Sequence, residues 1–368
     1  MLIKGVNPPI SCVILMINFT YDALPGRVLF GVGVREQLSN EIERLGCARA
    51  IILCTAGQER QAGELKRKIG KLAAGVFSGA VMHTPNSVSE RAVALVRSLN
   101  ADCTVALGGG SSVGLGKAIA LRTELPQIAI PTTYAGSEMT PIIGETAEGH
   151  KTTKRTAKVL PEVVLYDPEL TFGLPVSVSI ASGINAVAHS VEALYAKDRN
   201  PIVSLMAEES IRALVLSLPL IVANPKDGSA RSDALCGAWL AGTCLGAVGM
   251  SLHHKLCHVL GGTFNLPHAE THTVVLPHAI AYNTPAEPAV MRTIAKAVGT
   301  TGAPIGLYDF IGRQGAAQSL RELGMPEAGI EKAALLAIQN PYWNPRKLEY
   351  EPILELIRRA WAGEAPTL

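Results

Sequence analysis

From residue 28 to 167 the chain alternates short apolar runs with amphipathic stretches, and beyond Pro175 the strand signal disappears. Val28–Phe30, Ala50–Leu53, Gly75–Phe77, Thr104–Leu107, Gln127–Ile130 and Val163–Tyr166 read as strands. Helical patterns lie between them, over Val34–Leu45, Glu59–Leu72, Val88–Leu99 and Val113–Leu121. Strands that alternate with helices imply parallel βαβ units and a sheet covered on both faces. The second half repeats one kind of element: helices are expected over 177–196, 202–222, 230–250, 252–261, 269–282, 287–298, 328–338 and 350–361. The pattern predicts an N-terminal α/β Rossmann-like domain over residues 1–173 and an all-α domain over 174–368. They meet around Phe172-Gly-Leu-Pro175.

Composition narrows the class of function. A chain of 368 residues, 48% hydrophobic and 17% charged, buries a large core and is not disordered. The 33 basic and 31 acidic residues leave a formal charge of +2 without a basic block, so no nucleic acid is expected. The seven cysteines are odd in number and none has CxxC spacing. Several lie in apolar stretches, as core residues of a reducing, cytoplasmic protein would. Ile10–Ile17 is apolar but short, follows two prolines and precedes no small-residue cleavage site, so it is not read as a signal peptide. Met16 opens a natural-looking start, which makes residues 1–15 a candidate extension. Ala234–Leu252 is long and apolar, yet it carries Gly237, Gly242, Gly246 and Gly249 and runs into His253-His-Lys255. A buried central helix, closely approached by its neighbours, is expected there rather than a membrane span.

Two loops suggest a phosphate site. Thr104-Val-Ala-Leu107 runs into Gly108, Gly109, Gly110, Ser111 and Ser112, and a helical stretch starts at once. A strand, a glycine turn and a helix N-terminus present bare N–H groups to an anion. This is not the GxGxxG fingerprint, and alone it equally fits a tight turn with no ligand. The next strand leads into Ile130-Pro-Thr-Thr-Tyr-Ala-Gly-Ser137, whose Thr132, Thr133 and Ser137 add hydroxyl donors at the carboxyl edge of the sheet. Together with Lys151 they form the expected cofactor set. After the second strand, Cys54-Thr-Ala-Gly stands where an acidic residue would bind a ribose 2′-hydroxyl. Arg60 and Lys66 follow it as cations for a 2′-phosphate; NADH is expected, with NADPH left open.

The helical half holds seven of the nine histidines: His189, His253, His254, His258, His268, His272 and His278. Asn185 and His189 are four residues apart and share a helix face, as do His254 and His258. His268 follows in a Leu-Pro-His-Ala turn. Imidazoles gather where a proton moves near neutral pH or where a metal binds.

Taken together, Gly108-Gly-Gly-Ser111, Pro131-Thr-Thr133, Gly136-Ser-Glu138, Asp167-Pro-Glu-Leu170, Asn185-xxx-His189, His254-xxx-His258 and Pro267-His268 resemble the iron-containing (group III) alcohol dehydrogenases. The resemblance covers residues 18–362 and implies the dehydroquinate synthase-like architecture and a homodimer. Within the family, Gly114-Leu-Gly-Lys117, Thr133-Tyr-Ala-Gly-Ser137 and Asn340-Pro-Tyr-Trp-Asn-Pro-Arg346 look like the maleylacetate-reducing branch. That branch acts in bacterial degradation of resorcinol-type aromatics. In metal-dependent members an aspartate occupies the position of Asn185 and joins histidines matching His189, His254 and His268 around iron or zinc. The family's usual acidic residue after Ser111 is Gly114 here. Both departures lead to the expectation that no metal takes part.

The resemblance implies NAD(P)H-dependent reduction of the C=C bond of maleylacetate to 3-oxoadipate. Hydride adds to the alkene carbon β to the ketone, and the charge moves onto the ketone oxygen as an enolate. Hydrogen-bond donors and an imidazolium stabilise such an enolate. His254, His258 and Tyr342 are the catalytic candidates. Asn185, His189, His253, His268 and Arg346 are the candidates for binding the dicarboxylate, with Lys255 as a further cation near the chemistry. Three alternatives stand beside this reading: a metal-dependent alcohol or polyol dehydrogenase, a non-catalytic nucleotide-binding paralogue, and a carbon–oxygen lyase on the related fold.

Overall fold

The computed structural model describes residues 19–24, 26–147 and 150–367. Residues 1–15, read as an extension, and the side chain of Lys151 lie outside the described residues. In chain order the strands are β1 (Arg27–Phe30), β2 (Ala50–Leu53), β3 (Ala73–Phe77), β4 (Cys103–Gly108), β5 (Gln127–Pro131), β6 (Ile142–Ala147), β7 (His150–Arg155) and β8 (Val163–Tyr166). All but β6 and β7 form one parallel sheet in the order β1-β8-β5-β4-β2-β3. Helices α1 (Leu38–Arg44), α2 (Glu59–Ile69), α3 (Asn86–Ser98) and α4 (Gly110–Thr123) are interleaved with these strands.

The two faces of β2 show why its apolar run is unbroken. Ala50 and Ile52 pack with Leu38, Ile42 and Leu65 on one side. Ile51 and Leu53 pack with Val88, Val93, Leu115 and Ile119 on the other. Successive side chains point to opposite faces, and here both faces are covered by helices. Ile51, Ile52 and Leu53 are 0% exposed, and a buried aliphatic side chain of this size contributes about 1.5–3 kcal/mol.

The C-terminal half contains α5 (Val176–Tyr195), α6 (Pro201–Ala223), α7 (Gly228–Ala247), α8 (Leu252–Phe264), α9 (His268–Asn283), α10 (Pro288–Val298), α11 (Ala303–Arg313), α12 (Ile330–Ile338) and α13 (Tyr350–Ala362). Local chemistry starts several of them. Asn200 accepts from the N–H of Val203 ahead of α6, where Pro201 takes the first turn, and Asp227 caps α7 through the N–H of Ala230. The expected division into a parallel α/β half and a helical half is borne out.

Two elements differ from expectation. β6 and β7 pair antiparallel as a separate ribbon. Thr152–Arg155 of β7 are exposed, so no apolar alternation marked it. Helix α11 was unread because Pro304, Gly306 and Gly312 lower its intrinsic propensity. Packing overrides this by burying Leu307, Phe310 and Ile311.

No single helix among the described residues is long and apolar enough to cross a membrane. α7 and α8 meet at 95°. The glycines of α7 admit the other domain instead: a Cβ at Gly242 would lie 2.5 Å from Gly136 O, and one at Gly246 would lie 2.6 Å from Met139 O. Fully buried Arg231 ties the same junction. It donates to Tyr134 Oη (3.2 Å), Ser179 Oγ (2.7 Å), Leu174 O (3.1 Å) and Pro225 O (2.9 Å).

Candidate active site

The chain leaves β2 towards β3 on one side of the sheet and leaves β4 towards β5 on the other, so the connections reverse between β2 and β4. In open α/β sheets the crevice at the carboxyl ends of such a strand pair is where ligands bind. Gly108 ends β4 with φ +143°, and a Cβ there would lie 2.5 Å from Ser112 Oγ and 2.6 Å from Gln58 Oε1. A Cβ at Gly109 would lie 2.8 Å from Thr133 Oγ1. Helix α4 starts at Gly110, which is exposed, while Ser111, Thr133 and Ser137 are part-exposed beside it and Thr132 is buried. The two loops read from the sequence are thus adjacent, with bare backbone at a helix N-terminus.

Gln58 and Lys117 were missed. Gln58 Nε2 donates to Thr132 Oγ1 (2.9 Å) and joins the loop after β2 to the loop after β5. The Nζ of Lys117 lies 2.6 Å from Ser137 O, 2.8 Å from Thr140 O, 2.9 Å from Thr140 Oγ1 and 2.8 Å from Ile142 O. Burial pulls the Lys117 pKa down to about 7 against the pull of Glu138, while the ring of oxygens suits the ammonium form.

The histidines assemble around α5, α8 and α9. Asn185, His189 and Glu192 lie on one face of α5 at i, i+4 and i+7. Rings of His189 and His254 are 5.1 Å apart, those of His254 and His272 4.8 Å, and those of His268 and His272 4.4 Å. Asn185 Oδ1, His189 Nδ1 and His254 Nε2 are buried without a hydrogen-bond partner among the described residues. Burial, then the neighbouring imidazoles His254 and His268, push the His189 pKa well below the usual histidine range. The loop after β5 reaches this cluster: a Cβ on Gly136 would lie 3.6 Å from His189 Nδ1.

One helical turn after His254, His258 is half-buried and its Nδ1 lies 2.9 Å from Tyr342 Oη. Burial and then Glu192 raise the Tyr342 pKa, which keeps its phenol protonated at neutral pH. Lys255 Nζ lies 5.8 Å from the centre of the Tyr342 ring. His254, His258, Tyr342 and Lys255 are therefore brought together.

Two expected substrate contacts are corrected. His253 is fully buried behind His254, with Nε2 2.9 Å from His272 Nδ1. Burial drives its pKa well below normal, so it is no cation for a carboxylate. Arg346 stacks 4.2 Å over the ring of Tyr282 and donates to Tyr282 O (2.9 Å), which engages its guanidinium with α9. Glu192 was also missed, although its helical register with Asn185 and His189 was available. It is fully buried and accepts from His254 Nδ1 at 2.7 Å.

Comparison with known proteins agrees with this arrangement. Residues 25–168 match the family described as iron-containing alcohol dehydrogenase, and residues 179–361 match the C-terminal part of the Fe-containing alcohol dehydrogenase family. The chain is 56% identical to a maleylacetate reductase of Sphingobium indicum over 95% of its own length and 99% of that protein. A maleylacetate reductase structure from Agrobacterium tumefaciens superposes with a TM-score of 0.93 at 55% identity, covering 95% of this chain and 100% of that one. An iron-containing alcohol dehydrogenase from Corynebacterium glutamicum superposes with a TM-score of 0.91 at 42% identity, covering 95% and 98%.

These matches correct the expectation that no metal takes part, because the family spanning both halves is defined by its iron. The donor set fits a divalent cation. Unpartnered buried polar atoms are costly, and Asn185 Oδ1, His189 Nδ1 and His254 Nε2 are such atoms. Imidazole suits iron and zinc. The carboxylate of Glu192 on the far nitrogen of His254 is the partner that metal-bound histidines commonly have. An asparagine at position 185 lowers the charge of the set without removing the oxygen donor.

Proposed function

The chain belongs to the iron-containing alcohol dehydrogenase family, and from that premise we propose that it reduces the C=C bond of maleylacetate with NADH to give 3-oxoadipate. Its place is the bacterial breakdown of resorcinol-type aromatics. The likeness to maleylacetate reductases along nearly the whole chain carries this reading. The closeness of Gly136 to the histidine cluster adds to it, since a nicotinamide held by the loops after β4 and β5 would reach the histidines.

Gly108, Gly109, Gly110 and Ser111, with Thr132, Thr133 and Ser137, would hold the phosphates of NADH at the start of α4. A bound NADH would supply hydride to the alkene carbon β to the ketone, which sends the π electrons through the conjugated carbons onto the ketone oxygen. The resulting enolate collapses as its α-carbon takes a proton. The His258–Tyr342 pair, part-exposed to solvent, supplies that proton and is refilled from water. Lys255 holds one substrate carboxylate beside Tyr342. A divalent ion held by Asn185, His189, His254 and His268 would supply Lewis acidity at this end of the cleft.

The proposal extends to a cytoplasmic homodimer that prefers NADH, with NADPH open. Its test is loss of NADH absorbance on adding maleylacetate, with 3-oxoadipate recovered in equal amount. Turnover of simple alcohols with NAD and none of maleylacetate would reject the substrate in favour of an alcohol dehydrogenase.

A further inference from the structure

Glu192 is buried at 0% exposure, and each of its oxygens is used. Oε1 accepts from the backbone N–H of His253 (2.8 Å), and Oε2 accepts from that of Ser251 (2.9 Å) and meets His254 Nδ1 at 2.7 Å. Ser251 is the N-cap of α8 and supplies no side-chain cap of its own. The carboxylate of α5 therefore caps α8 from outside, where the helix dipole favours an anion.

The same contact determines which nitrogen of His254 carries a proton. An oxygen that already accepts from the Ser251 N–H accepts again, so Nδ1 is the protonated nitrogen. In that tautomer the lone pair is on Nε2, a buried atom with no hydrogen-bond partner among the described residues. We propose that Glu192 is a positioning residue that holds His254 in the Nδ1–H tautomer and aims its Nε2 lone pair into the site. This rests on reading His254 as a member of the active site.

Glutamine is the informative substitution. Its amide has one acceptor and one donor group. If NH2 faces Ser251 and His254, it repels the Ser251 N–H and drives the imidazole proton to Nε2. If NH2 faces the His253 N–H, that backbone donor loses its acceptor.

The experiment compares wild type, Glu192→Gln and Glu192→Asp as full-length protein. Nitrogen NMR on histidine-labelled samples reads the His254 tautomer, assigned with a His254→Gln sample. Zinc titration reads cation affinity, and kinetics separate kcat from KM. Glu192→Gln is expected to move the His254 proton to Nε2 or mix the tautomers where its NH2 faces His254, and in either orientation, having lost the anion, to weaken zinc by about 10–100-fold. It is expected to lower kcat by a similar factor while the KM for NADH stays within about twofold, because the phosphates lie on the other domain. Glu192→Asp, which keeps an anion, is expected to keep the Nδ1–H tautomer and recover part of the zinc affinity.

A folded Glu192→Gln protein with the wild-type tautomer and zinc affinity overturns the inference. Should Glu192→Gln fail to fold, loss of the Nδ1–H tautomer in folded Glu192→Asp overturns it. Tautomer and zinc affinity are read without maleylacetate, so a wrong substrate would leave both results standing.

Discussion

Asn185 differs from the expected aspartate by an NH2 in place of an oxygen, which removes one negative charge from a ring of buried imidazoles. Asn185→Asp should therefore bind Zn²⁺ or Fe²⁺ about tenfold tighter or more, because a carboxylate adds direct attraction in a poorly solvated site. Calorimetric titration checks this, and an unchanged affinity would remove Asn185 from the donor set. His258 makes the matching case for proton transfer. His258→Ala should lower kcat by about 10²–10⁴-fold, the range for a lost general acid, with NADH affinity nearly constant. A structural His258 would instead lower the melting temperature and leave kcat of the folded enzyme intact. Residue identities alone did not separate His253 from His254: adjacent on one helix, the first pairs with His272 inside the core and the second faces the site.

At the level of elements, the turn from β4 into α4 has the least freedom. Gly109→Val would place branched carbons on Thr133, since even its Cβ would lie 2.8 Å from Thr133 Oγ1 and 2.9 Å from Cγ2. The two loops proposed to hold the phosphates would be forced apart, and the KM for NADH should rise about tenfold or more, or ~1.4 kcal/mol. An unchanged KM in a folded variant counts against the phosphate site. The sheet strands and most helices were legible because each buries a face whose spacing is written locally. The β6–β7 ribbon and α11 were not, since β7 is exposed along Thr152–Arg155 and α11 takes its stability from neighbours.

The molecule as a whole depends on close approach of its two halves. Gly242→Val puts a side chain on the backbone of Gly136, where a Cβ would lie 2.9 Å from Cα and 2.5 Å from O. Overpacking of this kind costs about 1–3 kcal/mol. Displacement of Gly136 should raise the KM for NADH at the same time as it lowers the melting temperature. Gly262→Ala, on the exposed side of α8 with open space around it, is the control that should leave the KM unchanged and should not lower the melting temperature. Global stability should also carry the signature of His278, which burial and then Arg359 hold at a pKa of about 4. The folded value lies below the ordinary 6.5. Its contribution is therefore complete above pH 6.5 and is lost as pH falls towards 4, with a ceiling of about 3 kcal/mol. Urea unfolding across that range, compared with His278→Gln, should show the wild type losing more stability; parallel curves would contradict the assignment.

The amino-acid order alone determined the parallel α/β half, the helical half, the glycine turn before α4 and the concentration of histidines, because all of these are patterns within a few turns or strands. The branch of the family was legible in the same way, from short motifs. Packing between distant segments decided the rest. It set Glu192 against the start of α8, joined His258 to Tyr342 across 84 positions of chain, and turned Arg346 onto Tyr282. Helical spacing says which side chains share a face, but what that face meets depends on the helix packed over it.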